Sequence, residues 1–466
     1  MSDRIRVRLV PKNRIQTSVT AHASLMSFSN FDDVRPEPEF TRKALSAIDN
    51  LNFTAVETEQ HGITGFVPKE TFERTFSAKL VEVKITSDEI GERAVMTDTF
   101  LRPEQEIQIP QELADSIDFA YVPTPPLFFG LNPVPPQVSV YHLRVEDVAR
   151  VLRAYRCHRQ GWTGQGVRIA MADSGFAKHP FFEQYDFNIT RISTPSATNP
   201  AEDTSGHGSG ESANVLIIAP NCVFFGVKHD DYSAEALETS IAQNPKVITN
   251  SWGWNIDTTS KDSLQTSDPN LFNELTDVER ILKDAINSGI SIVFSAGNGH
   301  RAFPGSLPEV ISVGGVSVSA EGDLSASSYA SSFTSKLYPN RNVPDFCGIV
   351  GQAGTAPLKG HIMLPVPNDS QLDGDNMTPS QKGKGWGIFS GTSAAAPQIA
   401  GVIALMLSAN PELTQSEIKA ILAATATDID TGTTAHGVAA ATGVDLATGS
   451  GLVNALNACL RAKQVS

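Results

Sequence analysis

From about residue 138 the chain alternates between two textures. Short runs are apolar at every position: VRIAMAD (167–173), CVFFGVK (222–228), KVITNSW (246–252), ISIVFSAG (290–297) and VISVGGV (310–316). Strands apolar on both sides belong in a parallel sheet that helices cover on both faces. Between them, and after the last, come longer runs whose apolar residues recur at helical spacing: SAEALETSIAQ, LTDVERILKDAINSG, TSAAAPQIAGVIALMLSAN and TQSEIKAILAATA. Ahead of the first strand, LRVEDVARVLRAY predicts one more helix. Strands alternating with helices predict a doubly wound α/β domain over 138–466.

Upstream the pattern is that of a small α+β unit, assigned to residues 1–100. HASLMSFS (22–29) predicts a strand and EFTRKALSAIDNL (39–51) a helix. FTAVETE (53–59) and ITGFVP (63–68), joined at His61-Gly62, predict a hairpin. A short helix, KETFERTF (69–76), and a last strand, KLVEVKI (79–85), follow. The order suggests a ferredoxin-like fold. Eight prolines between Pro103 and Pro136 then predict an extended linker over 101–137, with a short element around ELADSIDFAYV.

Composition narrows the function classes. With 40% hydrophobic and 19% charged residues in 466, the chain is globular, and it is long enough for two domains or more. A net charge of −15 argues against nucleic acid as a partner. No apolar run reaches the roughly 18 residues of a membrane span, and the charged start MSDRIRVRLV carries no secretory h-region. Cys157, Cys222, Cys347 and Cys459 stand far apart with no metal-ligand spacing, as buried thiols do. The expectation is a cytoplasmic protein without membrane contact.

In an open parallel sheet, ligands bind beyond the carboxyl ends of the strands. Just past three strands stand Asp173-Ser174-Gly175, Ser251-Trp252-Gly253 and Ser295-Ala296-Gly297-Asn298. His207 lies in SGHGSGES at the start of a helix, and Ser393 in SGTSAAAPQIAG at the first turn of another. Singly, each strand-end segment and His207 is better read as a turn or a cap, and Ser393 too could be an N-cap. Together they form a set for acyl transfer. Ser393 would be the nucleophile, His207 the base and Asp173 the group orienting it. A helix N-terminus and the Asn298 amide would face the oxyanion.

DSG at 173–175, GHGS at 206–209, SAGN at 295–298 and SGTSAAAP at 390–397 resemble the four signatures of the subtilisin-like (subtilase) serine peptidases, in that family's order. GWTGQGVRIAMADSG and FPGSLPEVISVGGV are similar too, so the resemblance covers roughly 150–427. It implies the subtilisin-like α/β fold and a serine endopeptidase acting through an acyl-enzyme, with Asp173, His207 and Ser393 as triad and Asn298 as oxyanion donor. It further implies that 251–253 and 295–297 wall the S1 pocket, and that extended substrate pairs with 251–253. Trp252 and Trp254 read equally well as packing.

Two departures stand out: Gly-Ser-Gly-Glu-Ser after His207, where the family has Gly-Thr and a small apolar run, and Ala394 after Ser393. Two polar stretches, about 255–276 and 354–386, look inserted and are expected as loops over the cleft. In the second, Asp373, Asp375 and Asn376 carry oxygens suited to calcium, although D-G-D-N is more commonly a turn. No cofactor is otherwise required. The first unit, with GITGFVPKETFERTF, resembles subtilase prodomains, which implies a zymogen whose partners are its own prodomain and a peptide or protein substrate.

Overall fold

The computed structural model describes residues 4–16, 18–20, 31–84, 99–124, 127–128, 141–230, 232–353, 360–373, 385–389 and 391–465. Its largest sheet runs in the order Ile189–Ser193, Val223–Lys228, Arg168–Asp173, Val247–Asn250, Ser291–Ser295, Ile311–Val318, all parallel. Phe346–Ile349 pairs parallel with Ile311–Val318, and Leu324–Ala326 antiparallel. The chain leaves Arg168–Asp173 toward one edge and Val247–Asn250 toward the other. The topological switch point therefore falls between these two strands, with Asp173 and Ser251 at their carboxyl ends.

Two apolar clusters cover the sheet. One gathers the helices His207–Ile218, Thr392–Ala409, Gln415–Thr425 and Ala455–Ala462. The other gathers Ser233–Ile241 and Pro269–Asn287. Thr392–Ala409 is long and apolar enough to cross a membrane, but 89% of it is buried inside the protein, as a core helix is. The predicted helix before the first strand is two helices, Val145–Val151 and Ala154–His158, broken where Arg153 takes a left-handed φ of 63°. The stretch expected as a loop over 255–276 is instead helical. Lys261–Ser267 is a helix, and Pro269–Asn287 begins well before the residues whose periodicity announced it.

The N-terminal unit is a four-stranded antiparallel sheet in the order Thr54–Glu59, Gly62–Pro68, Arg4–Pro11, Ile117–Tyr121. Its first strand is Arg4–Pro11; the strand predicted over 22–29 lies outside the described residues. Alternation sends Ile5, Val7 and Leu9 into the unit's own core, with the helices Pro38–Ile48 and Lys69–Thr75. Arg6 and Arg8 point the other way. The predicted linker also needs correcting, because Ile117–Tyr121 is the sheet's fourth strand. Leu80–Lys84 pairs instead with Thr99–Pro103 in a separate hairpin. The prolines punctuate elements rather than forbid them: Pro103 ends a strand, Pro110 caps the helix Gln111–Ala114, and Pro123 follows the last strand.

The sheet face with Arg6 and Arg8 packs on the helices Ser233–Ile241 and Pro269–Asn287. Arg8, with a side chain 2% exposed, donates to Asp277 (3.0 Å), Glu59 (2.9 Å) and Glu238 (3.4 Å). Arg6 pairs with Glu235 at 3.0 Å and stacks on Tyr232. His61, in the tight turn of the hairpin, lies between Glu238 (2.7 Å) and Asp284 (2.6 Å). Asn270 and Glu274 receive the chain as it leaves the sheet, through the backbone N–H groups of Val122 (3.2 Å) and Thr124 (3.0 Å). Asn270 and Glu274, within the stretch that looked like an inserted loop, are thus docking groups for the N-terminal unit.

Candidate active site

Asp173 ends its strand fully buried, and its Oδ1 lies 2.7 Å from Nδ1 of His207, the first residue of the helix His207–Ile218. Oδ1 also accepts from the Ser174 N–H at 2.8 Å. The pairing leaves Nε2 as the ring's other nitrogen, the tautomer a base requires. Burial by itself would lower the His207 pKa. The charge and hydrogen bond of Asp173, with Glu211 and Asp203 behind them, outweigh burial and raise it to about 9. Gly208 stands where a side chain would collide: a Cβ there would lie 2.3 Å from the Gly175 carbonyl oxygen.

The turn before His207 is held by Asp203, which sequence reasoning missed. Its Oδ1 accepts from the Gly206 N–H (2.8 Å) and Ser174 Oγ (2.8 Å), and its Oδ2 from the Ser209 N–H (2.9 Å) and Oγ (2.7 Å). The helix starts on Gly206, which has no side chain to cap it, so a carboxylate three residues upstream satisfies the first N–H groups instead. The signal available was the acid itself, ahead of a glycine-started helix.

Ser393 is the second residue of Thr392–Ala409 and is fully buried. Pro397, four residues on, has no N–H to give its carbonyl. Ser251 Oγ donates to that carbonyl instead, at 3.0 Å, and ties the predicted pocket wall to the helix of Ser393. Thr392 binds the other wall. Its Oγ1 accepts from the Gly297 N–H at 3.0 Å, and its N–H donates to Asn298 Oδ1 at 2.7 Å. With its oxygen so engaged, the Asn298 amide turns Nδ2 toward Gly391, where a Cβ would come within 2.6 Å of it at a φ of 131°.

The helices of His207 and Ser393 run side by side in the same direction. Gln398 Nε2 meets Asn214 Oδ1 at 3.4 Å, and Gly401 packs on Val215 and Ile218. Both N-terminal turns therefore sit at one end, beside the switch point. Ser295 and Ala296, in the predicted second wall, are buried next to Gly297. Trp252 offers the predicted first wall its backbone rather than its side chain. Its ring is fully buried against Phe294 and Trp254, and its Nε1 donates to the Ala172 carbonyl at 3.1 Å. On the outer side of that segment, Leu127–Phe128 pairs antiparallel, Gly253 opposite Leu127 and Trp252 opposite Phe128.

Asp373 receives the N–H groups of Asp369 (2.9 Å) and Gly385 (3.0 Å), so both its oxygens pin a loop; Asp375 and Asn376 lie outside the described residues. Among the described residues, the acids compact enough to hold a metal are Glu57, Glu59 and Glu235, within 4.8 Å of one another. Arg6 and Arg8 already supply positive charge there.

A family model described as the subtilase family matches residues 164–451. Subtilisin E of Bacillus subtilis (strain 168) is 28% identical over 304 residues, 59% of this chain and 64% of that protein, so the chain spans a little under two thirds of that relative. The subtilisin of Bacillus pumilus is likewise 28% identical over 304 residues, 89% of its length. Among solved structures, fervidolysin from Fervidobacterium pennivorans, a keratinolytic enzyme related to subtilisin, overlays with a TM-score of 0.57 at 16% identity. That overlay covers 98% of this chain and 61% of fervidolysin. A lanthipeptide protease overlays with a TM-score of 0.50 at 20% identity over 68% of this chain and 94% of its own. These structural likenesses speak for the fold.

Proposed function

The chain belongs to the subtilase family, and from that premise we propose that it is a serine endopeptidase, made as a zymogen, that cleaves peptide bonds through an acyl-enzyme. Ser393 Oγ attacks the scissile carbonyl, and Nε2 of His207 takes its proton and later returns it to the leaving amine. Asp173 holds the ring through Nδ1 and stabilises the imidazolium. Asn298 Nδ2 and the Ser393 N–H, at the positive end of its helix, receive the oxyanion. Residues 251–253 and 295–297 wall the S1 pocket, and the substrate backbone adds to Trp252–Gly253 as a strand. The observation that carries this reading is the buried Asp173–His207 hydrogen bond of 2.7 Å at the switch point of the sheet.

The N-terminal unit we read as a ferredoxin-like prodomain with one inserted hairpin. Its tail supports this. Leu127–Phe128 pairs with the segment assigned to substrate, so the strand position is taken by the chain's own residues. A tethered segment has a high effective concentration for its own site. The chemistry needs no cofactor, and four free cysteines suit a reducing cytoplasm.

Intact mass of the purified chain and its Ser393→Ala variant, each with and without a fluorophosphonate, tests the reading. Wild type should gain the probe, and on incubation lose a fragment ending within a few residues after Phe128; the variant should do neither. A wild type that stays unlabelled after the N-terminal unit has been cut away would refute the peptidase.

A further inference from the structure

The helix that begins with His207 carries a second buried carboxylate one turn later. Glu211 is fully buried, and its Oε1 has no hydrogen-bond partner among the described residues. Its Oε2 accepts from Asn214 Nδ2 at 2.9 Å. Asn214 Oδ1 in turn receives Gln398 Nε2 (3.4 Å), on the helix of Ser393, and Gln398 is clamped to both backbone groups of Ile349, at 2.7 and 2.9 Å. A polar path thus crosses an otherwise apolar helix contact and links the base's helix to the nucleophile's. An apolar residue would fill this position at no electrostatic cost, whereas a buried acid with an unsatisfied oxygen is expensive.

We propose that Glu211 is a positioning residue of the triad, a carboxylate one helical turn behind His207 that biases the proton on the imidazole and, through Asn214 and Gln398, fixes the register of the two helices that carry base and nucleophile. The proposal rests on the peptidase reading but concerns a residue that reading does not use. The titratable groups whose charge acts on it are His207 on its own helix and Asp173 at the strand end; Asp203, ahead of that helix, acts on His207, and Asp173 acts on His229, after Val223–Lys228. Burial lowers His229 to about 4, so it stays neutral. Burial raises Glu211 to about 7; His207 opposes this shift and Asp173 adds to it. Ionised Glu211 stabilises imidazolium and raises the pH above which His207 can act as base. Removing its charge must therefore lower that pH.

The test is an imidazole NMR titration of the full chain carrying Ser393→Ala, which prevents self-cleavage. His207 should show an inflection near pH 7, as Glu211 ionises, and a midpoint near pH 9. Glu211→Gln keeps the shape and the bond to Asn214. It should abolish the neutral inflection and lower the midpoint by about one pH unit, the order of effect of a charge one turn away. Glu211→Asp should restore both. An unchanged midpoint in Glu211→Gln overturns the proposal, and if that variant does not fold, absence of the neutral inflection in the parent does so. The titration does not depend on Ser393 reacting, so an unreactive serine sinks the peptidase reading separately.

Discussion

Arg8 offers the sharpest test of how the N-terminal unit is held. Replacing it with Met keeps the length of the buried stem and removes the charge from among Glu59, Glu238 and Asp277. Asp277 retains Arg280 (2.6 Å) and the Tyr121 hydroxyl (2.8 Å), and Glu238 retains His61. Among the described residues, Glu59 keeps only the Thr64 hydroxyl (3.4 Å). Breaking one side of a buried ion pair costs about 3–5 kcal/mol, because a desolvated charge is left behind. In the docking equilibrium that is a factor of roughly 10² to 10⁴. Hydrogen exchange in the strands Arg4–Pro11 and Gly62–Pro68 should accelerate by that order in the full-length Ser393→Ala background, with the catalytic-domain sheet unaffected. Adding Glu59→Gln should recover part of the loss, since it removes the abandoned charge. Exchange in Arg8→Met equal to that of the parent would refute the reasoning, and so would a double variant weaker than the single.

Two further outcomes follow from the site and the interface. Asn298→Ala should lower kcat by about 10²- to 10³-fold with KM little changed, a magnitude known for an oxyanion-binding amide in subtilisin, of this family; a loss under tenfold in steady-state kinetics would mean that Nδ2 does not meet the oxyanion. Docking should weaken as pH rises from about 5 to about 9. Burial, helped by neighbouring carboxylates, raises Glu59 to about 7, and burial raises Glu274 to about 8; the pairing of His61 with Glu238 and Asp284 raises it despite burial. Each binds its proton more tightly in the docked state. Its contribution is full below its ordinary pKa, 4.5 for the glutamates and 6.5 for His61, and is lost through the raised value. Glu238, Asp277 and Asp284, lowered by their cationic partners in spite of burial, lose theirs only in acid. Exchange protection of the N-terminal strands that stays flat or rises between those pH values would contradict this assignment.

What the sequence determined by itself is what short-range pattern encodes. Apolar runs gave five strands of the main sheet to within a few residues, but not its strands Ile189–Ser193 and Phe346–Ile349. Local motifs brought Asp173, His207, Asn298 and Ser393 to notice, because each is framed by neighbours in the chain. Even the break in pattern at Glu211 was visible as a departure, though nothing local said what it faces. Tertiary structure decided the rest, wherever the partner is far away in sequence. Arg4–Pro11 alternates arginine with apolar residues, a pattern that makes sense only once acids from two distant helices bury the arginines. Ile117–Tyr121, expected only as a short element in a linker, became a sheet edge through its pairing with that strand. Trp252 could be assigned to packing only when Phe294 and the Ala172 carbonyl were seen to enclose its ring. Asp203 needed the fold of its own turn to become the cap of a helix that begins on glycine. Periodicity is a property of neighbours along the chain, whereas burying a charge depends on which segments meet, and only the folded molecule records that.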